Sequence, residues 1–164
     1  INNGIYNDET NEHIDNICAF ARPGEILLAV TDDINDPQYS MSQDAYNTLI
    51  NETDARGRKI KVHKIPLPKP VYLTDYERAG LSSINGFGIR EEHERLAASY
   101  VNFYISNKNI IMPGFGDDND EVAKNIIQDI FKDREVIQIY SRDILIGGGN
   151  IHCITQQIPK GIKR

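Results

Sequence analysis

No apolar run in this chain approaches the roughly 20 residues needed to span a bilayer, which excludes a membrane helix. The opening residues carry no signal-peptide pattern. The chain starts at Ile1 and runs straight into Asn2-Asn3-Gly4, so it reads as a piece of a longer protein. Cysteine is scarce. Cys18 and Cys153 make no disulfide framework, so a reducing, cytoplasmic compartment is expected. Basic charge is short too, with 18 Lys and Arg against 24 Asp and Glu and a net charge of −6. The cations are scattered apart from a short tail at Lys160, Lys163 and Arg164, which excludes nucleic acid as the main partner. An acidic surface suits a cationic substrate better. Metal motifs are missing as well. His13, Asp15, His152 and Cys153 are possible ligands, but no Cys-x-x-Cys or His-Glu-x-x-His spacing joins them. Asp32-Asp33-Ile34-Asn35-Asp36 lacks the glycine and the terminal Glu of a calcium loop and reads as a solvated turn. No metal and no cofactor are expected.

What is present is an ordinary globular composition: 164 residues, 40% hydrophobic and 26% charged, enough for roughly one domain with a core. Two stretches follow one plan. Ile14 to Phe20 and Ile26 to Val30 flank the turn signal Arg22-Pro23-Gly24 and predict a hairpin. A helix follows from about Ser42 to Thr53, capped by Ser40, Ser42 or Asp44, with Tyr46, Leu49 and Ile50 on one face. A strand over about Lys59 to Ile65 closes the unit. In the second stretch, Tyr100 to Ile105 and Ile110 to Met112 flank Asn107-Lys108-Asn109, again a hairpin. Asp118 or Asn119 caps a helix whose stripe is Val122, Ala123, Ile126, Ile127 and Ile130, and Val136 to Tyr140 is the last strand. The repeat distance is roughly 80 residues, and neither unit could bury its faces alone. Between the units, Pro66, Pro68 and Pro70 favour an extended connector, and Thr74 to Ile89 reads as a loop. Gly86-Phe87-Gly88 has neither the preceding strand nor the third glycine of a nucleotide loop.

Residues Gly147 to Pro159 carry the chemistry. Cys153 follows a run of glycines that admits close approach of other groups, and its neighbours Asn150, Thr155, Gln156 and Gln157 are polar but uncharged. A lone cysteine between Ile151 and Ile154 is more often a small buried hydrophobe, yet this setting makes it a candidate nucleophile. Cys18, among Ile17 and Phe20, reads as core. His13-Ile14-Asp15 is the second feature: in an extended segment residues two apart share a face, so imidazole and carboxylate would point together. In a strand, His152 points away from the face that Cys153 uses. His63 and His93 read as surface residues. A thiol with His and carboxylates suggests attack on a cation, and a guanidinium pairs its planar fork of N–H donors with carboxylates such as Glu9 and Asp15.

These residues resemble a known family. Gly-Gly-Gly-Asn-Ile-His-Cys-Ile-Thr-Gln-Gln at 147–157 is similar to the nucleophile motif of agmatine deiminases, and Asp8 to Asn16 resembles their His-x-Asp motif. Arg22-Pro23-Gly24, Thr31-Asp32-Asp33, Asp36-Pro37-Gln38-Tyr39, Lys61-Val62-His63-Lys64 and the run Arg95 to Phe103 are also similar. The likeness covers nearly the whole chain and is weakest from about Ser82 to Glu92. It implies an α/β pentein fold, a propeller of pseudo-fivefold ββαβ modules. This chain would hold roughly two modules plus flanking strands, with residues 1–164 as the C-terminal part of a single catalytic domain.

The resemblance also implies a mechanism. Cys153 attacks the guanidinium carbon of agmatine to form an amidino-cysteine adduct. His13 serves as general acid and then base, Asp15 pairs with guanidinium nitrogens, and Glu9 orients the substrate. The products would be N-carbamoylputrescine and ammonia, feeding polyamine synthesis. The implied partner is a small guanidine, with no nucleic acid, no membrane, and a homo-oligomer left open. Two departures stand out: Glu12 replaces the glycine expected before His13, and the family's other substrate carboxylates lie upstream of His13, outside this chain. An arginine or peptidyl-arginine deiminase shares the same logic and is the nearest alternative. A catalytically silent piece that folds against a partner is the other.

Overall fold

The computed structural model describes residues 1–8, 12–81, 91 and 93–158. Two three-stranded sheets organise it. In the first, β1 (Cys18–Arg22) pairs antiparallel with β2 (Glu25–Val30), and β2 pairs in parallel with β3 (Lys61–Pro66) after the crossover helix α2 (Gln38–Asn51). A one-turn helix α1 (Ile14–Ile17) precedes β1. In the second sheet the short β6 (Tyr104–Ile105) pairs antiparallel with β7 (Asn109–Gly114), and α4 (Asn119–Ile130) carries the chain to a parallel β8 (Glu135–Tyr140). The order is thus strand, strand, helix, strand in both units, with the second strand central in each sheet. This is the repeat that the hydrophobic pattern predicts.

Local chemistry explains the turns. Pro23-Gly24 joins β1 to β2 with Gly24 at φ 80, a left-handed conformation that glycine adopts without a Cβ penalty. Ser106 closes the second hairpin, its Oγ accepting from the Asn109 N–H at 3.1 Å. The central strands are the most buried: Leu27, Leu28, Ile110 and Met112 are essentially inaccessible, as befits strands covered on both faces. One continuous core joins the units, because α4 packs on β3 of the first unit as well as on β8 of its own. Ala123, Ile127 and Ile130 supply that face, while Val122 stays half exposed.

Between the units lie β4 (Val71–Tyr72) and β5 (Arg95–Leu96), a small antiparallel pair, and α3 (Asp75–Gly80). Helix α5 (Arg142–Ile146) follows β8 and leads into the glycine run. Leu145 packs it onto Leu73, Leu96 and Ala98, and Arg142 donates to both carboxylate oxygens of Glu77 at 2.6 and 2.9 Å. Arg142 holds the Glu77 carboxyl down to about 2 from an ordinary 4.5. A depressed carboxyl contributes stability that is present above its ordinary value and lost as the pH falls toward about 2. Thermal melts of the natural protein and of Arg142→Gln should therefore differ by about 2–4 °C near neutrality. The difference should close by about pH 2, and a constant gap down to that pH would refute the pairing.

Several expectations are corrected. Ile14 to Ile17 is helical, not extended: Asn16 is drawn inward to Asp8 and Asn102, and Ile17 is buried beside it while Ile14 is exposed. Tyr100 to Phe103 threads the core as a turn, in which the Asn102 N–H donates to the Ser99 carbonyl, and within the expected strand Tyr104–Ile105 is the part that pairs. Helix α2 starts four residues early. Asp36 Oδ1 accepts from the Gln38 N–H at 2.9 Å, and Ser42 is buried inside the helix rather than capping it. Ile50 faces outward, leaving Leu49 as the buried residue of its expected trio. The stretch after Thr74 begins as a helix, started by a capping box between Thr74 and Glu77. Gly86-Phe87-Gly88 and the tail residues Lys160, Lys163 and Arg164 lie outside the described residues.

Candidate active site

The chain brings Cys153 to Asp15 from opposite ends of the sequence. Helix α5 ends at the glycines, Gly148 adopts φ 89, and the backbone then turns through 151–154 instead of extending as a strand. Buried Asn150 anchors that turn: its side-chain Oδ1 accepts from the Ile151 N–H at 2.9 Å and its carbonyl from the Ile154 N–H at 3.2 Å. Gly149 leaves room for the cysteine here. A Cβ at that position would sit 3.0 Å from the Cys153 Cβ and 3.5 Å from its sulfur.

Cys153 is exposed as a residue, but its sulfur is crowded from behind. The Sγ lies 3.4 Å from Asp15 Oδ2 and 3.3 Å from Asn102 Nδ2. Burial pushes the thiol up from its ordinary value, and the neighbouring Asp15 carboxylate adds to that. A backbone contact with Asn150 and the Asn102 side chain pull it back. Asp15 Oδ2 also meets His152 Nδ1 at 2.7 Å, while Asp15 Oδ1 is buried and has no hydrogen-bond partner among the described residues.

The expected residues are placed as follows. Cys153 and Asp15 are together. His13 is the N-cap of α1, exposed, and its imidazole bonds to neither of them among the described residues. The helical turn thus replaces the shared strand face on which His13 and Asp15 were expected. Glu9 lies outside the described residues. His152, expected to point away from the thiol, is instead the imidazole on Asp15, because a turn does not alternate its side chains. His63 sits in a cleft and meets Glu25 Oε2 at 2.8 Å, whereas His93 is exposed. Cys18 packs against the core, and burial raises its thiol to about 11.

Two asparagines escaped the sequence reading. Asn16 and Asn102 are buried side by side, with Asn102 Nδ2 donating to Asn16 Oδ1 at 2.9 Å. The signal that could have found them is an amide inside an apolar run, Tyr100-Val101-Asn102-Phe103, and another beside Ile17. No group of three or more His, Cys, Asp or Glu converges as a metal would require among the described residues. No helix among them is long and apolar enough to cross a membrane.

Comparison with known proteins gives consistent matches. The family described as Porphyromonas-type peptidyl-arginine deiminase matches residues 1–159. An agmatine deiminase of Pseudomonas putida is 52% identical over 161 residues, covering 98% of this chain and 44% of that protein. An agmatine deiminase of Stutzerimonas stutzeri is 51% identical over 156 residues, covering 95% of this chain and 42% of its own length. Among solved structures, the agmatine deiminase of Enterococcus faecalis superposes with a TM-score of 0.88 at 40% identity, over 96% of this chain and 43% of that one. The chain thus spans less than half the length of the relatives it matches.

Proposed function

This chain belongs to the Porphyromonas-type peptidyl-arginine deiminase family, and we propose that its chemistry is the hydrolytic deimination of agmatine to N-carbamoylputrescine and ammonia at Cys153. The observation that carries this reading is the Asp15 carboxylate. One of its oxygens lies 3.4 Å from the sulfur and the other is buried without a partner among the described residues. A carboxylate beside a thiol discourages the thiolate, so it is a poor neighbour for attack on a neutral or anionic substrate. A guanidinium reverses the balance. Its fork of N–H donors pairs with the carboxylate, its charge offsets that of Asp15, and its carbon is carried to the sulfur. His152, whose side chain is half exposed, yields the shared oxygen as the substrate takes it.

In the reaction, sulfur bonds to the guanidinium carbon and one C–N bond breaks, with the departing nitrogen protonated to leave as ammonia. Water then adds to the amidino-thioether carbon and the C–S bond breaks, returning the thiol. One water is consumed and one ammonia released. His13, at the start of the turn that carries Asp15, is assigned both proton transfers. Glu9 is assigned as a further substrate carboxylate. The two ββαβ units are read as two modules of a pentein within one catalytic domain in a cytoplasmic protein. Residues outside this chain would complete the cage.

Agmatine should outcompete arginine, because a carboxylate-lined site disfavours arginine's own carboxylate. Ammonia release by the natural polypeptide should show a kcat/KM at least about tenfold higher for agmatine, a difference of roughly 1.4 kcal/mol. Equal turnover of the two would move the assignment to an arginine or peptidyl-arginine deiminase, the chemistry in the family's own description.

A further inference from the structure

We infer that Asn102 is a working part of the thiol site: its side-chain amide donates a hydrogen bond to the Cys153 sulfur and stabilises the thiolate, in an orientation that Asn16 and Asp8 enforce. The distances alone do not orient an amide, but the partners do. Asp8 is a carboxylate and can only accept, so the Asn16 amide nitrogen, 3.1 Å from Asp8 Oδ2, must point toward it. That turns Asn16 Oδ1 to Asn102, which must then present Nδ2, at 2.9 Å. The other end agrees independently. The His152 backbone N–H can only donate, and it meets Asn102 Oδ1 at 2.9 Å. With both ends fixed, Asn102 Nδ2 has two hydrogens and two acceptors, Asn16 Oδ1 and the Cys153 sulfur at 3.3 Å.

Orientation therefore passes from a carboxylate through two buried amides to the sulfur. Asn102 and Asn16 are almost wholly buried, where a hydrogen bond is stronger and an unpaired amide costly, so the arrangement is held firmly. The titratable side chains facing this cluster are Asp15 and His152 at the sulfur and Asp8 behind Asn16, among the described residues. Asp15 opposes the thiolate; among the described residues, Asn102 is the one side chain in contact with the sulfur that favours it. His152 Nδ1 meets Asp15 Oδ2 at 2.7 Å. The same Asn102 residue also fixes the turn, because its backbone carbonyl accepts from the His152 N–H at 3.2 Å.

The inference rests on Cys153 as nucleophile, yet it is tested without substrate. The pH dependence of Cys153 alkylation by iodoacetamide, read by peptide mass spectrometry on the natural polypeptide, reports the thiolate directly. Asn102→Ala and Asn102→Asp should shift that titration upward by at least about one pH unit, a tenfold slower alkylation near pH 7. Asn16→Ala, which removes one of the two constraints on the amide, should shift it the same way by a smaller amount. In the wild type, the Asn102 side-chain amide proton resonances should move as the thiol titrates. Folded variants with an unmoved alkylation profile, or amide resonances indifferent to the thiol, would overturn the inference. If the substitutions prevent folding, the wild-type resonances decide. Loss of the nucleophile reading would show separately, as agmatine turnover that survives removal of Cys153.

Discussion

Replacing Cys153 with serine should abolish ammonia release from agmatine, by a factor on the order of 10,000 or more, while melting temperature and circular dichroism stay close to wild type. The size follows from the bond that carries the reaction. Deimination through a covalent adduct needs a nucleophile that is also a good leaving group in the second step, and sulfur serves both steps where a serine hydroxyl serves neither at neutral pH. The small structural effect follows from position. Cys153 is exposed, sits in a turn anchored by Asn150, and contributes little to the core, so exchanging S for O leaves the packing alone. Mass spectrometry adds a second readout: the natural protein quenched during turnover should carry an adduct on the peptide containing Cys153, and the variant none. Turnover retained by the serine variant would remove Cys153 from the mechanism.

Asp15→Asn should separate two activities that a damaged site would lose together. Without the carboxylate the guanidinium has no counter-charge at the sulfur, and agmatine kcat/KM should fall roughly 100- to 1,000-fold. The free thiol should change in the opposite sense. Asp15 raises the Cys153 thiol, second to burial, so neutralising it lowers the thiol and increases the thiolate fraction near neutral pH. Iodoacetamide should then alkylate Cys153 faster than in the natural protein, with its pH profile displaced toward acid. A parallel loss of both activities would point to a collapsed turn rather than to a missing charge, and wild-type turnover would remove Asp15 from substrate binding.

Most of the architecture could be read in advance because apolar alternation and turn residues are local. Pro23-Gly24 and Asn107-Lys108-Asn109 announce their hairpins, and Ala123, Ile127 and Ile130 announce the buried face of α4. The site was readable in part. Cys153 and Asp15 could be paired by the chemistry they share, although nothing in their spacing says that the chain closes to within 3.4 Å. What resisted was the backbone at 13–17 and 151–154. Burial of Asn16 and anchoring by Asn150 impose turns there, and these are tertiary demands with no local signature. His152 and His13 exchanged their expected positions relative to Asp15 for that reason alone.

The Asn16–Asn102 bond spans 86 residues of sequence, and the Asp15–Cys153 contact spans 138. Contacts so distant along the chain form only after large loops have closed, which makes the thiol site a late product of folding. A chain that has formed its hairpins and helices but not yet docked its two units has a cysteine without its carboxylate, and an Asn102 amide without the Asn16 partner that orients it. The reactivity of that one thiol is therefore a gauge of how completely the polypeptide has assembled.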